Sequence, residues 1–178
     1  MSNFAYIDGG SDPGTGLKTI GGIIYANDRE LVRYSELLKG VSAELLSLIK
    51  CLKLARKYEL RSLKIKTDAK IVESAFLTEY DVLKIMIRDL ENNPKNIGLK
   101  KAISKRSKIN LSNIMEIQDW FRKNSNNLKL KSACNPIYKD EIEKLSKNID
   151  ISIEHIPRKE NSLADELCRQ ARSKNQNN

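Results

Sequence analysis

The amino-acid sequence predicts an α/β fold built on a mixed sheet. Three strand-like segments joined by short turns occupy residues 3–35, which favours an antiparallel meander. Further along the chain, strands alternate with helices, and crossovers of this kind make part of a sheet parallel. With 178 residues, of which 40% are hydrophobic, the chain suits a single domain (1–178) with one core.

The individual elements follow from two periodicities. Alternation of apolar and polar residues between turn signals predicts five strands, over 3–8, 20–25, 31–35, 63–68 and 150–156. Apolar stripes at helical spacing predict helices over 42–58, 69–77, 81–90, 97–109, 112–121, from Asn135-Pro136 onward, and over 162–172. We expect Ser42 to cap the first helix and residues 173–178 to form a frayed tail.

The charge is concentrated in one segment. The chain has 32 Lys and Arg against 23 Asp and Glu, a net charge of +9. Residues 81–131, a predicted basic and mainly helical insertion, contain twelve of the basic residues and five acids, so this segment accounts for +7. A solvated helix face would explain an ordinary charge run, but this concentration favours a nucleic-acid surface. Trp120 and Phe121 are interpreted as a small local core rather than as base-stacking groups.

Cysteine usage and hydropathy bear on the compartment. Cys51, Cys134 and Cys168 are odd in number and far apart, match no zinc spacing and suggest no disulfide framework. A reduced, cytoplasmic environment is therefore expected. No apolar run approaches transmembrane length and the first twenty residues lack a signal-peptide pattern, so no membrane partner is expected.

Four acids recur at element ends. Asp8 ends the first strand before Gly9-Gly10, and Asp68 ends the fourth strand. Glu44 and Asp165 lie in the first turns of two helices, each beside the core-facing stripe. Each has a local explanation: an Asp-Gly-Gly turn, favourable acids at helix N-termini, and an N-cap at Asp68. Ligands of open α/β sheets, however, collect beyond the carboxyl ends of the strands, where such acids can hold a metal ion.

These acids lie within motifs that resemble the ribonuclease H family, in particular its compact reverse-transcriptase-like members. The matching stretches are Tyr6-Ile7-Asp8-Gly9-Gly10-Ser11, Ser42-Ala43-Glu44-Leu45-Leu46-Ser47-Leu48, Lys66-Thr67-Asp68-Ala69 and residues 153–167. They occur in the expected order on the expected elements and cover most of the chain outside the insertion.

The resemblance implies an RNase H-like sheet of three antiparallel and two parallel strands, flanked by helices on both faces. It implies catalysis by Asp8, Glu44, Asp68 and Asp165, which would bind two Mg²⁺ ions, with Mn²⁺ as a substitute. The implied reaction is endonucleolytic hydrolysis of the RNA strand of an RNA–DNA hybrid, leaving 5′-phosphate ends. The 2′-hydroxyl identifies the RNA strand, and the backbone around Gly9, Gly10 and Ser11 is a candidate contact to it.

The insertion is expected to hold the duplex electrostatically. The candidate residues are Lys100, Lys101, Lys105 and Arg106. Two alternatives remain: the same site acting on double-stranded RNA or a DNA junction, and an inactive nucleic-acid-binding module. The intact set of four acids favours an enzyme, expected to act as a monomer.

The single histidine permits two interpretations. His155 lies ten residues before Asp165, a spacing similar to that of a mobile histidine in many family members. If the comparison is aligned at Pro157 instead, His155 lies within the last strand. Arg158 or Lys159 then occupies the loop position at which family members have the mobile histidine. We therefore expect His155 to be structural and leave it outside the catalytic set.

Overall fold

The computed structural model describes residues 2–108, 113–129, 134 and 136–176. Its strands are β1 (Asn3–Ser11), β2 (Lys18–Ala26), β3 (Arg29–Leu38), β4 (Ser62–Thr67) and β5 (Asp150–His155). Its helices are α1 (Ala43–Lys57), α2 (Lys70–Ser74), α3 (Glu79–Asn92), α4 (Ile97–Ser107), α5 (Ile114–Lys129), α6 (Pro136–Ser146) and α7 (Ser162–Gln176), with a 3-10 helix at Arg158–Asn161.

The chain forms two compact units. Residues 1–75 and 135–178 make up the first, here called the sheet unit, and residues 76–134 make up the helical unit. The predicted basic insertion, 81–131, falls within the helical unit. No helix in the described ranges is long and apolar enough to cross a membrane.

The sheet is mixed, as predicted. Its strand order is β3-β2-β1-β4-β5; β1, β2 and β3 are antiparallel, whereas β4 runs parallel to both β1 and β5. The first strand extends to Ser11, with Gly9 paired to Ile20 and Gly10 to Thr19. The alternative of an Asp-Gly-Gly turn is therefore wrong: ladder pairing with β2 outweighs the local turn preference of the two glycines.

Two helices cover opposite faces of this sheet. The buried stripe of α1 contains the predicted residues Leu45, Leu48, Ile49, Leu52 and Ala55, and that of α7 contains Ala164, Leu167, Cys168 and Ala171. The α1 backbone lies over Gly9, whereas the α7 backbone lies over Gly21, the cross-strand partner of Asp8. Because successive strand residues point to opposite faces, Asp8 shares the α7 face.

Hydrogen bonds hold α1 on the sheet. Ser42 caps the helix as predicted, its side chain accepting from the Leu45 amide. In the core, the Tyr34 hydroxyl donates to the carbonyl of Ser47, and the Ser47 hydroxyl donates to the carbonyl of Gly21. These bonds hold α1, whose first turn contains Glu44, against β2 and β3.

The helical unit has its own hydrophobic core. Buried residues of α3, α4 and α5 form it: Leu83, Ile87, Leu90, Ile103, Ile117 and Leu128. Trp120 and Phe121 pack against this cluster, and the Phe121 ring stacks on Tyr80 with centroids 4.9 Å apart. The interpretation of Trp120 and Phe121 as a local core is confirmed.

Two helices run past their predicted ends. The helix predicted over 112–121 continues to Lys129, because Asn124 donates to the carbonyl of Trp120 within α5 and Leu128 is buried in the unit's core. The predicted frayed tail at 173–178 is wrong up to Gln176, since α7 continues and Ser173 donates to the carbonyl of Arg169. No glycine or proline interrupts residues 173–176, so nothing local ends the helix.

We expect Gly21→Ala to destabilise the sheet unit. A Cβ at this position would lie 2.6 Å from both the carbonyl oxygen of Ala164 and the amide nitrogen of Cys168, so α7 would have to move. Overpacking of this kind costs about 1–3 kcal/mol of unfolding free energy. Gly14→Ala is the control, because its Cβ would meet only a side-chain oxygen of Asp12 at 3.8 Å. Equal denaturant midpoints for the two variants would contradict the close packing.

Candidate active site

All four predicted acids line one cavity of about 290 Å³. Asp8 comes from β1, and Asp68 directly follows β4. Glu44 and Asp165 come from the first turns of α1 and α7. Four separate elements thus contribute carboxylates to one concave site. The predicted contact residues Gly9 and Gly10 also line it.

Gly9 has a role that the sequence did not indicate. A Cβ on this residue would lie 2.4 Å from the backbone carbon of Ala43 and 2.4 Å from the amide nitrogen of Glu44. The absence of a side chain therefore lets the N-terminus of α1 contact β1 directly. This contact brings Glu44 to the cavity that Asp8 lines.

Burial first, and then the negative charges of Asp68 and Asp165, raise the pKa of the Asp8 carboxyl from 3.8 to about 6. A hydrogen bond from the Gly9 amide opposes this shift in part. The Cys168 thiol donates to the carbonyl of Asp8 at 3.3 Å. Burial, and then the charge of Asp8, raise the pKa of Cys168, which keeps this thiol neutral and able to donate.

The Asp68 carboxylate is oriented by Asn161. The Asn161 side-chain nitrogen donates to Asp68 Oδ1 at 2.8 Å and to the carbonyl of Ile7 at 2.9 Å, and only 1% of the residue is exposed. Nothing in the sequence distinguishes this asparagine from a solvated loop residue. The alternative of Asp68 as an N-cap is wrong, because Ala69 occupies the N-cap position of α2 and the helix has no side-chain cap.

His155 contacts the site from outside. Its Nε2 lies 3.0 Å from the backbone oxygen of Asp68, and the side chain is not among those that line the cavity. Since a carbonyl only accepts, the hydrogen bond places the ring proton on Nε2. His155 thus holds the backbone of Asp68 rather than its carboxylate.

Three arginines that the sequence did not single out for binding line the same cavity: Arg158, Arg169 and Arg172. Arg158 Nη2 lies 3.4 Å from one oxygen of Asp165, and Arg169 Nε lies 3.5 Å from the other. In the part of the chain that the structure describes, no three His, Cys, Asp or Glu side chains lie close enough together to hold a metal ion. Asp165 instead faces guanidinium groups, Asp68 accepts from an amide, and Glu44 accepts from the Ser42 hydroxyl.

The other predicted binding residues are distributed over both units. The backbone oxygen of Ser11 accepts from Arg172, and its hydroxyl accepts from Lys18. Lys100, Lys101, Lys105 and Arg106 all lie on α4 of the helical unit. Arg106 is bound to both carboxylate oxygens of Glu79 at 2.9 Å.

The raised pKa of Asp8 predicts a pH-dependent stability. Between about pH 4 and 6 the folded chain retains a proton at Asp8 that the unfolded chain has released, so folding stability falls as pH rises through this range. Asp8→Asn is neutral throughout, so its melting temperature relative to wild type should rise from pH 4 to pH 7. Thermal unfolding in EDTA measures this difference. Asp28→Asn, in the exposed turn between β2 and β3, is the control, and a pH-independent difference for Asp8→Asn would refute the prediction.

Comparison with known proteins identifies the fold. No protein-family model matches the chain, and no curated protein sequence matches it. Among solved structures, it is similar to RNase H1 from the halophilic archaeon Halobacterium salinarum NRC-1, with a TM-score of 0.53 at 16% identity, covering 96% of this chain and 97% of the other.

Two further structures agree. The N-terminal RNase H domain of Rv2228c from Mycobacterium tuberculosis has a TM-score of 0.53 at 18% identity, covering 96% of this chain and 98% of the other. LC11-RNase H1, isolated from compost, has a TM-score of 0.51 at 19% identity, covering 97% and 96%. With its mixed sheet and flanking helices, the chain has the ribonuclease H fold.

Proposed function

We propose that this chain is a metal-dependent endonuclease that hydrolyses the RNA strand of RNA–DNA hybrids and leaves 5′-phosphate ends. The observation that carries the proposal is the convergence of Asp8, Glu44, Asp68 and Asp165 from four elements on one cavity. Two of the similar structures are named RNase H1, which supports this reaction class.

The donor set suits hard divalent cations. All four side chains offer carboxylate oxygen, the ligand that Mg²⁺ and Mn²⁺ prefer. The charges of Asp68 and Asp165 disfavour ionisation of Asp8, and a bound cation would remove that penalty. To bind a metal ion, the Asp165 carboxylate would have to leave its ion pairs with Arg158 and Arg169. When bound, two ions supply charge neutralisation and an activated water for displacement at phosphorus.

The chain's own residues would prepare the site for this reaction. Asn161 fixes the orientation of the Asp68 carboxylate, and Gly9 permits the contact that brings Glu44 to the cavity. Released from Asp165, the guanidinium groups of Arg158 and Arg169 become available to substrate phosphate. Backbone at Gly9 and Gly10 borders the cavity and is the proposed contact to the 2′-hydroxyl.

Cleavage assays with Asp8→Asn test the proposal. With a labelled RNA–DNA hybrid and Mg²⁺, we expect the wild type to cut only the RNA strand. Asp8→Asn should reduce the rate by at least about 100-fold, since even residues that support metal ligands commonly contribute 10- to 100-fold. Asp28→Asn is the matched control, because Asp28 is exposed and has a positive φ of 61° that asparagine readily adopts.

The substrate panel separates the alternatives. Cleavage of double-stranded RNA or a DNA junction in place of the hybrid would keep the site but change its substrate. Tight binding without cleavage of any substrate would identify an inactive binding module. Hybrid cleavage that is equal in wild type and Asp8→Asn would overturn the proposed site.

We further propose that α4 supplies electrostatic binding to the duplex. Lys100, Lys101 and Lys105 have no acidic partner among the ion pairs of the described residues, whereas Arg106 is bound by Glu79. Neutralising Arg106 would leave Glu79 unpaired, so Lys100/Lys101/Lys105→Gln is the cleaner variant. We expect weaker hybrid binding in EDTA. We also expect a smaller salt slope, which is the magnitude of the slope of log binding constant against log salt concentration. It should fall by up to about 3, one for each lost phosphate contact.

A matched triple variant controls for net charge. Lys57 ends α1, and Lys144 and Lys147 lie on and directly after α6; none has an acidic partner among the ion pairs of the described residues, and changing them to Gln removes the same three charges from the sheet unit. Glutamine preserves helix propensity in both variants. If the two variants have equal salt slopes, α4 does not contact the phosphates.

A further inference from the structure

We infer that Gly10, Thr19 and Arg172 form a binding site for a backbone phosphate of the nucleic acid, beside the four carboxylates. We call this site the Arg172 notch. It rests on the proposed function, because it assigns a position on the same substrate, and its position follows from three independent features.

The first feature is the position of two hydrogen-bond donors beside Gly10. Thr19 is the cross-strand partner of Gly10 in the β1–β2 ladder. A Cβ on Gly10 would lie 2.8 Å from the Thr19 hydroxyl oxygen and 3.7 Å from Arg172 Nη2. Both donors therefore lie close to Gly10, where the Thr19 hydroxyl leaves no room for a Cβ, and all three residues line the cavity of the acids.

The second feature is unsatisfied polar atoms. Thr19 is fully buried, and its hydroxyl oxygen makes no hydrogen bond of good geometry, although it interacts with the Cys168 thiol. Arg172 Nε is also buried without a partner. Groups of this kind destabilise a fold unless something binds them, and their shielding keeps solvent from doing so. Two such atoms around one notch indicate a site that is completed by a ligand.

The third feature is an unpaired charge. Arg158 and Arg169 form ion pairs with Asp165, whereas the ion pairs found among the described residues include none to Arg172. Its Nη2 donates to the backbone oxygen of Ser11 at 3.0 Å. A neutral carbonyl satisfies one donor of this half-buried guanidinium and leaves it without a direct ion pair. The notch therefore suits an anion.

A phosphodiester group meets these requirements. It carries one negative charge per nucleotide, and its paired oxygens match the planar fork of an arginine. The four neighbouring carboxylates repel any anion when no metal ion neutralises them, but a nucleic-acid substrate held elsewhere on the chain would bring a phosphate to the notch together with the scissile one. The half-buried side chain of Arg172 would leave the Ser11 carbonyl to bind this phosphate.

Binding measured without metal tests the notch apart from catalysis. In EDTA, we expect Arg172→Gln to weaken binding of an RNA–DNA hybrid roughly tenfold at 0.1 M salt and to lower the salt slope by about one. Lys174→Gln removes the same charge from an exposed position on α7 and should leave the slope unchanged. Equal slopes for the two variants would overturn the notch.

Thr19→Val distinguishes a binding role from a structural one. Valine keeps the shape of threonine but removes the unpaired hydroxyl, so the variant should melt at a higher temperature whichever role is correct. If the hydroxyl binds phosphate, affinity for the hybrid falls several-fold as stability rises. Higher stability with unchanged affinity would show that the hydroxyl is only a buried defect. Gly10→Ala, checked for folding by circular dichroism, fills the notch and should weaken binding as Arg172→Gln does.

The outcomes also separate the notch from the proposed function. Parallel titrations use double-stranded RNA and duplex DNA, because phosphate recognition does not depend on the sugar. An Arg172-dependent affinity without hybrid cleavage would support the notch and reject the proposed reaction. Hybrid cleavage with no effect of Arg172→Gln on binding would support the proposed reaction and reject the notch. Absence of binding to all three duplexes in EDTA would reject the notch, and absence of hybrid cleavage in Mg²⁺ would reject the proposed reaction.

Discussion

Direct contact between helix backbone and strand glycines is the constraint on which the candidate site depends. The N-terminus of α1 lies against Gly9, and α7 lies against Gly21, at distances that leave no room for a Cβ. Glu44 and Asp165 are in the first turns of these two helices. Close packing on opposite faces of the sheet therefore brings both acids to the strand residues Asp8 and Asp68. A larger residue at either glycine would displace a carboxylate as well as weaken the core.

The resulting site is electrostatically unfavourable in the ligand-free chain. A partly buried Asp8 near two other acids has a pKa of about 6, and Arg172 is half-buried without an acidic partner. Shifted pKa values and unpaired charges of this kind are typical of functional sites. There, groups that lower the folding stability of the chain can be stabilised by a bound ligand. Cations beside the acids and a phosphate beside the arginine would relieve opposite defects, so the two proposed ligands would reinforce each other's binding.

The candidate active site and the basic face of α4 belong to different units of the chain. The sheet unit contains the four acids, whereas the helical unit has an independent core and contributes the basic face of α4. Within that face Arg106 is neutralised by Glu79, so Lys100, Lys101 and Lys105 are the residues proposed to attract a polyanion. Because long-range attraction to phosphate requires charge rather than exact geometry, such a surface tolerates sequence change that the four-carboxylate cavity would not.

The sequence by itself determined the order of strands and helices, the mixed sheet and the four acids, because periodicity and element ends are local properties. It misplaced the ends of β1, α5 and α7, where cross-strand pairing and core packing outweighed local signals. Only the tertiary structure showed that Asn161 orients Asp68, that Gly9 and Gly21 admit helix backbone, and that three arginines join the acids. The contact from Asn161 to Ile7 spans 154 residues, and that from Arg172 to Ser11 spans 161. Contacts at such separations depend on how the chain folds back on itself, which no local pattern encodes.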